Sequence, residues 1–412
     1  MVEERHMHDR VLYKYESITK KVQLCLWTLA LVGYFFQFPF SKLASLITPC
    51  IVVYIILEFP NWKIPRNTKY QYVLLIYIVF LLAEIIRSVV NAVPVGRIAR
   101  FAAILLLLPA CCWIKTCRSE EKRKVFIALA VVKSIIIICI AVCVAIQGDF
   151  REWRNWAWSN GLGDIYFFNR WMPKVQVQGN ALLVMAFIVE ILRKRKTTIC
   201  SVIILVGILV AGNFAYILGA GAFSIFMLGK PLYQKVKSGK ISRQTVVIVF
   251  VIIIVLTMPY VISKVQQKAE TSNLTRYEQV LVLMDTNPLW GKGLGNVVQA
   301  VTSTRVYDGD IYFELQTLYI VNQIGFVGLL LAYFLTMYPL FMPPKNRLYI
   351  YLIYLLYSFW NPYCWDTTHM ITLILIVNLY DWGEENDKGD YYNVLSICRS
   401  EIKHFRNLRA SR

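Results

Sequence analysis

Charged residues are scarce in this chain of 412 residues, where they make up only 17% of the sequence. A soluble domain needs more charge than this to cover its surface, so a soluble globular fold is excluded. Apolar runs of about 17–25 residues recur from end to end, and a run of that length crosses about 30 Å of hydrocarbon. These runs are continuous and do not alternate with polar residues, which excludes a transmembrane β-barrel. The sequence therefore predicts a helical protein that crosses a membrane many times.

The sequence also lacks the patterns of metal sites and disulfide frameworks. Cys111, Cys112 and Cys117 lie close together, but no second Cys/His pair completes a zinc site. Of the 10 cysteines, only Cys364 is predicted to face outward, so no disulfide framework is indicated. We predict neither a metal nor a cofactor for this protein.

No serine- or glycine-rich linker and no low-complexity tract divides the chain. We predict one membrane domain over residues 1–381 and a cytoplasmic tail over residues 382–412. The predicted fold is all-α and polytopic, with about twelve transmembrane helices. The predicted spans are 22–38, 43–59, 70–90, 98–114, 125–147, 177–192, 199–212, 215–229, 245–262, 315–341, 348–361 and 369–381.

The distribution of positive charge predicts the orientation of these spans. With the N-terminus in the cytoplasm, most of the 44 lysine and arginine residues fall on the cytoplasmic side, as the positive-inside rule requires. Both termini are then cytoplasmic, and two long loops, at about 148–176 and 263–314, are extracytoplasmic. The net charge of +19 reflects these basic edges, which meet anionic membrane lipid. No basic face carries interleaved aromatic residues, so no nucleic-acid partner is predicted.

The first long loop is rich in tryptophan, with Trp153, Trp156, Trp158 and Trp171 among charged residues. One interpretation is an interfacial helix whose indole rings lie at the depth of the lipid headgroups. The other is a platform on which sugar rings stack. Tryptophan serves both uses, so the sequence leaves both interpretations open.

Two outward arginines, Arg170 and Arg276, are candidate diphosphate ligands, because a guanidinium is always charged and presents a planar fork of donors. The alternative for each is an exposed arginine that stabilises a loop. Gly291, Gly293 and Gly295 follow Arg276 in a short run that has neither the Gly-Lys-Ser/Thr ending of a phosphate-binding loop nor a preceding strand. We predict that this run forms a tight turn whose amides lie near a substrate headgroup.

Acidic residues collect just before the tenth predicted span, where Asp308 and Asp310 precede Glu314. A carboxylate at that position can cap the helix that follows, because the helix dipole stabilises the anion. It can equally act as a general base that removes a proton from an attacking sugar hydroxyl. Both interpretations stay open on this local evidence.

Glu84, Arg87 and Lys133 are further charged residues inside predicted spans. Glu84 and Arg87 are three residues apart on one face of a helix, so they can form an ion pair, either a structural one or one that lines a polar substrate cavity. Lys133 lies about two turns inside the fifth span, and we predict that its side chain extends to the membrane surface.

Taken together, these motifs resemble the O-antigen polymerase and O-antigen ligase superfamily of bacterial inner membranes. That superfamily has many spans, two main outward loops and a distal loop of the form Arg…Asn-Pro-Leu-x-Gly-x-Gly-x-Gly. The corresponding residues here are Arg276 and then Asn287-Pro288-Leu289-Trp290-Gly291-Lys292-Gly293-Leu294-Gly295. In the ligase branch this loop ends in a histidine. A small polar residue, nine further residues and a Gly-x-x-Gly motif follow it in that order. This chain keeps the spacing to Gly325-Phe326-Val327-Gly328 but has Glu314 in the histidine position. In this respect it is similar to the capsule and exopolysaccharide repeat-unit polymerases (Wzy-type).

The resemblance implies a glycosyltransferase that acts on undecaprenyl-diphosphate-linked oligosaccharides without metal or nucleotide. It implies that Arg170 and Arg276 neutralise the leaving diphosphate and that Glu314 activates the acceptor hydroxyl, with inversion of the anomeric centre. It also implies a location in the bacterial cytoplasmic membrane and, as a candidate partner, a protein that regulates chain length.

Three other functions are compatible with the sequence. The nearest is a ligase that transfers finished glycan to an acceptor lipid or protein. A transporter of lipid-linked oligosaccharide is a second alternative, although the unusual polarity of this chain lies in its outward loops and no inverted repeat is evident. A structural or regulatory membrane subunit is a third, but it would not need the glycine run between Arg276 and Glu314.

Overall fold

The computed structural model describes residues 2–116, 119–169, 172–194, 196–239, 242, 274–284, 287–301, 306–308, 313, 315–343, 346–359 and 361–379. These residues are mostly helical. The helices are α1 (Val2–Phe36), α2 (Ala44–Leu57), α3 (Thr68–Val90), α4 (Val95–Cys111), α5 (Ser119–Gln147), α6 (Arg151–Ser159), α7 (Leu183–Lys194), α8 (Ile199–Ala211), α9 (Phe214–Lys237), α10 (Leu274–Met284), α11 (Gln316–Phe341), α12 (Asn346–Ser358) and α13 (Thr367–Val377). The strands are β1 (Gly163–Asn169), β2 (Met172–Val177), β3 (Gln299–Val301) and β4 (Val306–Asp308).

Three of the described helices, α3, α5 and α11, are long and apolar enough to cross a membrane. Shorter apolar helices accompany them, among them α2, α8 and α13. These helices indicate a protein embedded in a membrane, as the sequence predicts. The count of about twelve spans stays a prediction. The predicted span 245–262 and the predicted tail 382–412 lie outside the described residues.

The described residues are mostly helical, as the predicted fold class requires, but each of the two long loops also contains a short β-hairpin that the sequence analysis does not predict. In the first, β1 pairs antiparallel with β2, and Ile165 lies opposite Val175. Both side chains are buried, and β2 packs against α5 and α8. The second hairpin pairs β3 with β4. The alternation of apolar residues that marks a strand is present in the first loop, whereas Trp153, Trp156 and Trp158 lie in α6, before the hairpin.

The prediction that the side chain of Lys133 of α5 extends to the membrane surface is wrong. Its side chain is fully buried. The ammonium group donates to the main-chain oxygen of Gln178 at 2.8 Å and lies 4.9 Å from the ring of Phe38. Gln178 follows β2 directly, so Lys133 fixes the end of the hairpin to the helices. A carbonyl oxygen and an aromatic face replace the water that the ammonium group would otherwise need.

A buried ion pair joins α2 to the beginning of α5. Lys122 Nζ lies 2.6 Å from Glu58 Oε1, and both side chains are almost completely buried. Lys122 also donates to the hydroxyl of Tyr54 at 2.9 Å, and its main-chain oxygen accepts from the indole of Trp27 at 3.1 Å. This small network therefore connects α1, α2 and α5 at one end of the helices.

We expect Glu58→Leu to destabilise the protein by about 3–5 kcal/mol, because Lys122 would remain buried without this carboxylate. The double variant Glu58→Leu/Lys122→Met should lose much less, since it removes both charges together. Thermal unfolding of the purified protein in detergent measures both variants. Equal losses in the single and double variants would show that the burial of an unbalanced charge is not the cause.

Helix α11 is the element that positions the candidate site. It packs against α3, α4, α10 and α12. The hydroxyl of Tyr70 on α3 donates to the main-chain oxygen of Leu335 at 3.0 Å, and the indole of Trp113 donates to Tyr70 at 2.7 Å. These buried hydrogen bonds hold α3 alongside the second half of α11, so the first half of α11 lies near the C-terminal end of α3.

Candidate functional site

The centre of the candidate site is a break in α11 at Gly325. This residue has φ 66° and ψ 176°, so the helix is interrupted after Ile324 and resumes at Phe326. In a continuous helix the amide N–H groups of Phe326 and Val327 would bond the carbonyls of Asn322 and Gln323. The break leaves these four main-chain groups to find other partners, and a buried polar group without a partner is costly.

The glycine loop, which we define as residues 287–296, supplies all four partners. Its main chain enters the break, donates to the two carbonyls before Gly325 and accepts from the two amides after it. The hydrogen bonds are Phe326 N to Pro288 O (2.8 Å), Val327 N to Leu289 O (3.3 Å), Lys292 N to Asn322 O (2.7 Å) and Gly293 N to Gln323 O (2.9 Å). Loop and helix therefore form one hydrogen-bonded unit.

The local sequence of the glycine loop explains its shape. The side chain of Asn287 accepts from the amide of Leu289 at 3.0 Å, and its carbonyl accepts from the amide of Gly291 at 3.0 Å. This is the turn that Asn-Pro favours, since asparagine bonds the main chain two residues on and proline fixes φ. Gly291 has φ 68°, and a Cβ there would lie 2.6 Å from the carbonyl oxygen of Gln323. Only glycine permits that approach without strain.

The amides of the glycine run are therefore occupied by protein. Those of Gly291 and Gly293 donate to main-chain carbonyls of Asn287 and Gln323. The role predicted for Gly291, Gly293 and Gly295 as ligands of a headgroup stays a prediction. What the structure shows for Gly291 and Gly293 is a tight turn held against α11.

The predicted pair Glu84 and Arg87 lies directly beside this loop. Arg87 Nη1 is 3.7 Å from Glu84 Oε2 and 3.4 Å from the main-chain oxygen of Trp290. Ser88, the next residue of α3, lies against Gly293 so closely that a Cβ on that glycine would be 2.8 Å from the serine Oγ. The end of α3 and the glycine loop thus share one surface, although they are far apart in the sequence.

A group of buried amides connects the loop to α10. The main-chain oxygen of Asn296 accepts from the hydroxyl of Tyr319 at 3.2 Å and from Gln323 Nε2 at 3.1 Å. Asn322 Nδ2 donates to the main-chain oxygen of Leu283, at the end of α10, at 3.0 Å. The sequence did carry a signal for these residues, since Asn322 and Gln323 are adjacent amides in an otherwise apolar run, where polar groups are costly.

We expect Asn322→Leu to lower stability by about 1–3 kcal/mol, because the buried carbonyl of Leu283 would lose its donor. The end of α10 would detach from α11 while the rest of the fold remains. Thermal unfolding and limited proteolysis within residues 274–284 measure the two effects. Unchanged proteolysis would show that α10 is held by other contacts. Thr28→Val, which removes a hydroxyl bonded within α1, serves as the control.

Helix α10 carries Arg276. Of the two arginines predicted to bind a diphosphate, Arg276 is the one that the structure describes. Arg276 is half-buried, and Gln279, one turn further along, is completely buried. Gln279 Oε1 accepts from the amide of Leu315 at 3.4 Å. Phe313 is also buried, with its ring 4.7 Å from that of Tyr319. The other predicted site residues, Arg170, Asp310 and Glu314, lie outside the described residues.

Two arginines near the glycine loop were not predicted from the sequence. Arg97 and Arg100 lie in the first turns of α4, and a Cβ on Gly295 would be 2.9 Å from the Cβ of Arg97. The two arginines are three residues apart and so share a face of the helix. This spacing is the signal that the sequence offers for the pair.

The first long loop, at about 148–176, contains α6 and the hairpin of β1 and β2. Arg154 of α6 bonds both carboxylate oxygens of Asp164 on β1, at 2.9 and 3.2 Å. Trp156 and Trp158 are exposed, whereas Trp153 is half-buried and donates to Gln147. Both interpretations of these tryptophans, as headgroup anchors or as a sugar platform, stay open.

His369 of α13 lies in a buried aromatic cluster with Tyr351, Tyr354 and Trp365. Its Nε2 is 3.0 Å from the hydroxyl of Tyr351, and its Nδ1 accepts from the amide of Trp365 at 3.2 Å. Both ring nitrogens are thus engaged within the fold. Among the residues that the structure describes, no group of three or more His, Cys, Asp or Glu side chains could hold a metal ion.

Comparison with protein-family models, with curated proteins and with solved structures finds no match to this chain. The relation to the O-antigen polymerase and ligase superfamily is therefore a resemblance carried by the motifs themselves.

Proposed function

We propose that this protein is a membrane glycosyltransferase that joins undecaprenyl-diphosphate-linked oligosaccharide repeats into a surface polysaccharide. Catalysis would take place at the outer face of the bacterial cytoplasmic membrane. The observation that carries the proposal is the glycine loop fixed in the break of α11, next to Arg87, Arg97 and Arg100. A rigid polar loop beside several cations, at the end of apolar helices, suits a substrate with a lipid tail and an anionic head.

The orientation with about twelve spans and both termini in the cytoplasm belongs to this proposal. One set of contacts supports it. The glycine loop meets the end of α3, the beginning of α4 and the first half of α11. In the proposed orientation all of these segments face outward. The buried pair of Glu58 and Lys122 likewise joins two segments that both face the cytoplasm in this orientation.

In the proposed reaction an acceptor sugar hydroxyl attacks the anomeric carbon of the donor glycan. The new bond joins the acceptor oxygen to that carbon, while the bond between the carbon and the diphosphate oxygen breaks. Glu314 takes the hydroxyl proton, and undecaprenyl diphosphate leaves with the electron pair, its charge stabilised by Arg276 and Arg170. Displacement from the opposite face inverts the anomeric centre. The reaction as proposed needs no metal ion.

The contacts of helix α10 support the proposal that Arg276 and Glu314 act in the same site. Arg276 and Gln279 are three residues apart and lie on one side of α10. Gln279 bonds the amide of Leu315, the residue that follows Glu314 in the chain. A cation on α10 and a carboxylate next to Leu315 in the chain would suit a reaction in which one group binds the leaving diphosphate and the other accepts a proton.

The length of carrier-linked glycans in cells tests the proposal. We expect cells that lack this gene to accumulate single repeats on undecaprenyl diphosphate, and re-expression to restore a ladder of longer chains. Full-length polymer that remains on the carrier would indicate a ligase instead. Unchanged glycan lengths would contradict both enzymes and favour a transporter or a structural subunit.

A further inference from the structure

Among the residues that the structure describes, the positive charge near the glycine loop is not balanced by acidic groups. Lys292 and Arg100 are exposed, Arg97 is half-buried, and the side chain of Arg87 is 43% exposed. Within the part of the chain that the structure describes, Arg97, Arg100 and Lys292 form no ion pair, and Arg87 pairs only with the buried Glu84. Cations gathered at the end of membrane helices repel one another unless an anion lies between them.

There is also room for such an anion. Gly96, in the first turn of α4, has nothing within 4 Å of the position that a Cβ would occupy. The helix surface at Gly96, one turn before the exposed Arg100, is therefore open. The N-terminal end of α4 adds the positive end of a helix dipole to the charge of the arginines. Open space and unbalanced positive charge thus coincide at the start of α4.

An apolar stripe on α3 leads to the same place. Leu75, Val79, Leu82 and Ile86 are all more than half exposed, at 58%, 58%, 53% and 64%. Their spacing of three or four residues places them on one face of the helix. Arg87 follows Ile86 directly. A hydrocarbon chain that lies along this stripe would therefore bring its polar end to the cations at the outer ends of α3 and α4.

We propose that the outer ends of α3 and α4 form a binding site for the phosphate groups of an isoprenoid lipid. Arg97 and Arg100 are its principal ligands, Arg87 and Lys292 contribute charge, and the exposed stripe of α3 receives the isoprenoid chain. The site is additional to Arg170 and Arg276. It rests on the proposed function in one respect, since it assigns the phosphate to the carrier lipid and not to an ordinary phospholipid headgroup.

Two pairs of variants test this site. Arg97→Gln/Arg100→Gln removes the two ligands, and Arg66→Gln/Lys69→Gln removes two exposed cations at the opposite end of α3. Gly96→Glu places a carboxylate four residues before Arg100, where it can form an ion pair with that arginine. The dipole at the helix N-terminus also stabilises a carboxylate at this position. Gly96→Gln is nearly the same size and carries no charge. Because the space at Gly96 is open, both glycine variants should fold normally.

The measurement is binding of undecaprenyl diphosphate to the purified protein in detergent micelles, by native mass spectrometry, with phosphatidylglycerol as competitor. We expect affinity to fall by about tenfold or more in Arg97→Gln/Arg100→Gln and in Gly96→Glu. The Arg66→Gln/Lys69→Gln and Gly96→Gln variants should bind as the wild type does. Phosphatidylglycerol should compete weakly.

The possible results separate this site from the proposed function. Wild-type affinity in the double arginine variant overturns the site and leaves the polymerase proposal intact. Equal competition by phosphatidylglycerol overturns the assignment to the carrier lipid and indicates a site for any phospholipid headgroup. If the wild-type protein binds no undecaprenyl diphosphate, both the site and the proposed function are contradicted. Weak binding in the double variant together with unchanged glycan lengths in gene-deleted cells supports the site and contradicts the polymerase.

Discussion

Gly325→Ala is expected to release the glycine loop from α11 and abolish polymer formation. A Cβ at this position would overlap the main-chain oxygen and carbon of Leu289 and lie 2.5 Å from the amide nitrogen of Trp290. All three are backbone atoms, so no side-chain rotation can relieve the clash. The conformation at φ 66° and ψ 176° is one that essentially only glycine adopts. Backbone strain and lost hydrogen bonds together should cost about 3 kcal/mol or more.

Thermal unfolding in detergent and the length of carrier-linked glycans in cells measure the two consequences of Gly325→Ala. Gly221→Ala is the matched control, because Gly221 lies in α9 and nothing is within 4 Å of its Cβ position. That variant should be as stable as the wild type or slightly more so, since alanine favours a helix over glycine. Normal polymer and normal stability in Gly325→Ala would show that the loop does not depend on the break in α11.

Glu314→Gln is expected to abolish polymer formation while the protein still folds and binds its lipid substrate. Glutamine keeps the size and hydrogen-bonding capacity of the side chain but cannot take the proton from the acceptor hydroxyl. Loss of a general base typically costs about 10²–10⁴-fold in rate. The residues on either side, Phe313 and Leu315, are both buried. A change confined to one carboxylate should therefore leave the surrounding packing intact.

The glycan ladder in cells, together with undecaprenyl diphosphate binding by the purified variant, measures this effect. Glu152→Gln in α6 serves as the control, because Glu152 is an exposed carboxylate in the other long loop. We expect single repeats in Glu314→Gln cells and a normal ladder in Glu152→Gln cells. A wild-type ladder in Glu314→Gln cells would end the assignment of Glu314 as the base and leave helix capping as its role.

The two variants separate structure from chemistry. Loss of stability is expected for Gly325→Ala alone, and loss of polymer is expected for both. If Glu314→Gln also unfolds the protein, its carboxylate has a structural role, and lost polymer in that variant is no evidence for catalysis.

Much of the membrane character of this protein was predictable, because the length of an apolar run limits where it can lie. The helices α3, α5 and α11 coincide with the predicted spans 70–90, 125–147 and 315–341. The β-hairpins were missed because a strand is stabilised by its partner strand and by the helices beneath it, as Ile165 and Val175 are. Lys133 was misjudged for a similar reason, since its two main-chain partners lie 95 and 45 residues away.

By itself the sequence determined that the chain is embedded in a membrane and where its glycine run lies, since apolar length and glycine content are local properties. Only the tertiary structure decided that the glycine loop enters the break at Gly325 and that Arg87 reaches Trp290, a residue 203 positions away. It likewise brought Arg97 against Gly295. These contacts join segments distant along the chain, and they form because each main-chain group exposed by the break must find a hydrogen-bonding partner away from water.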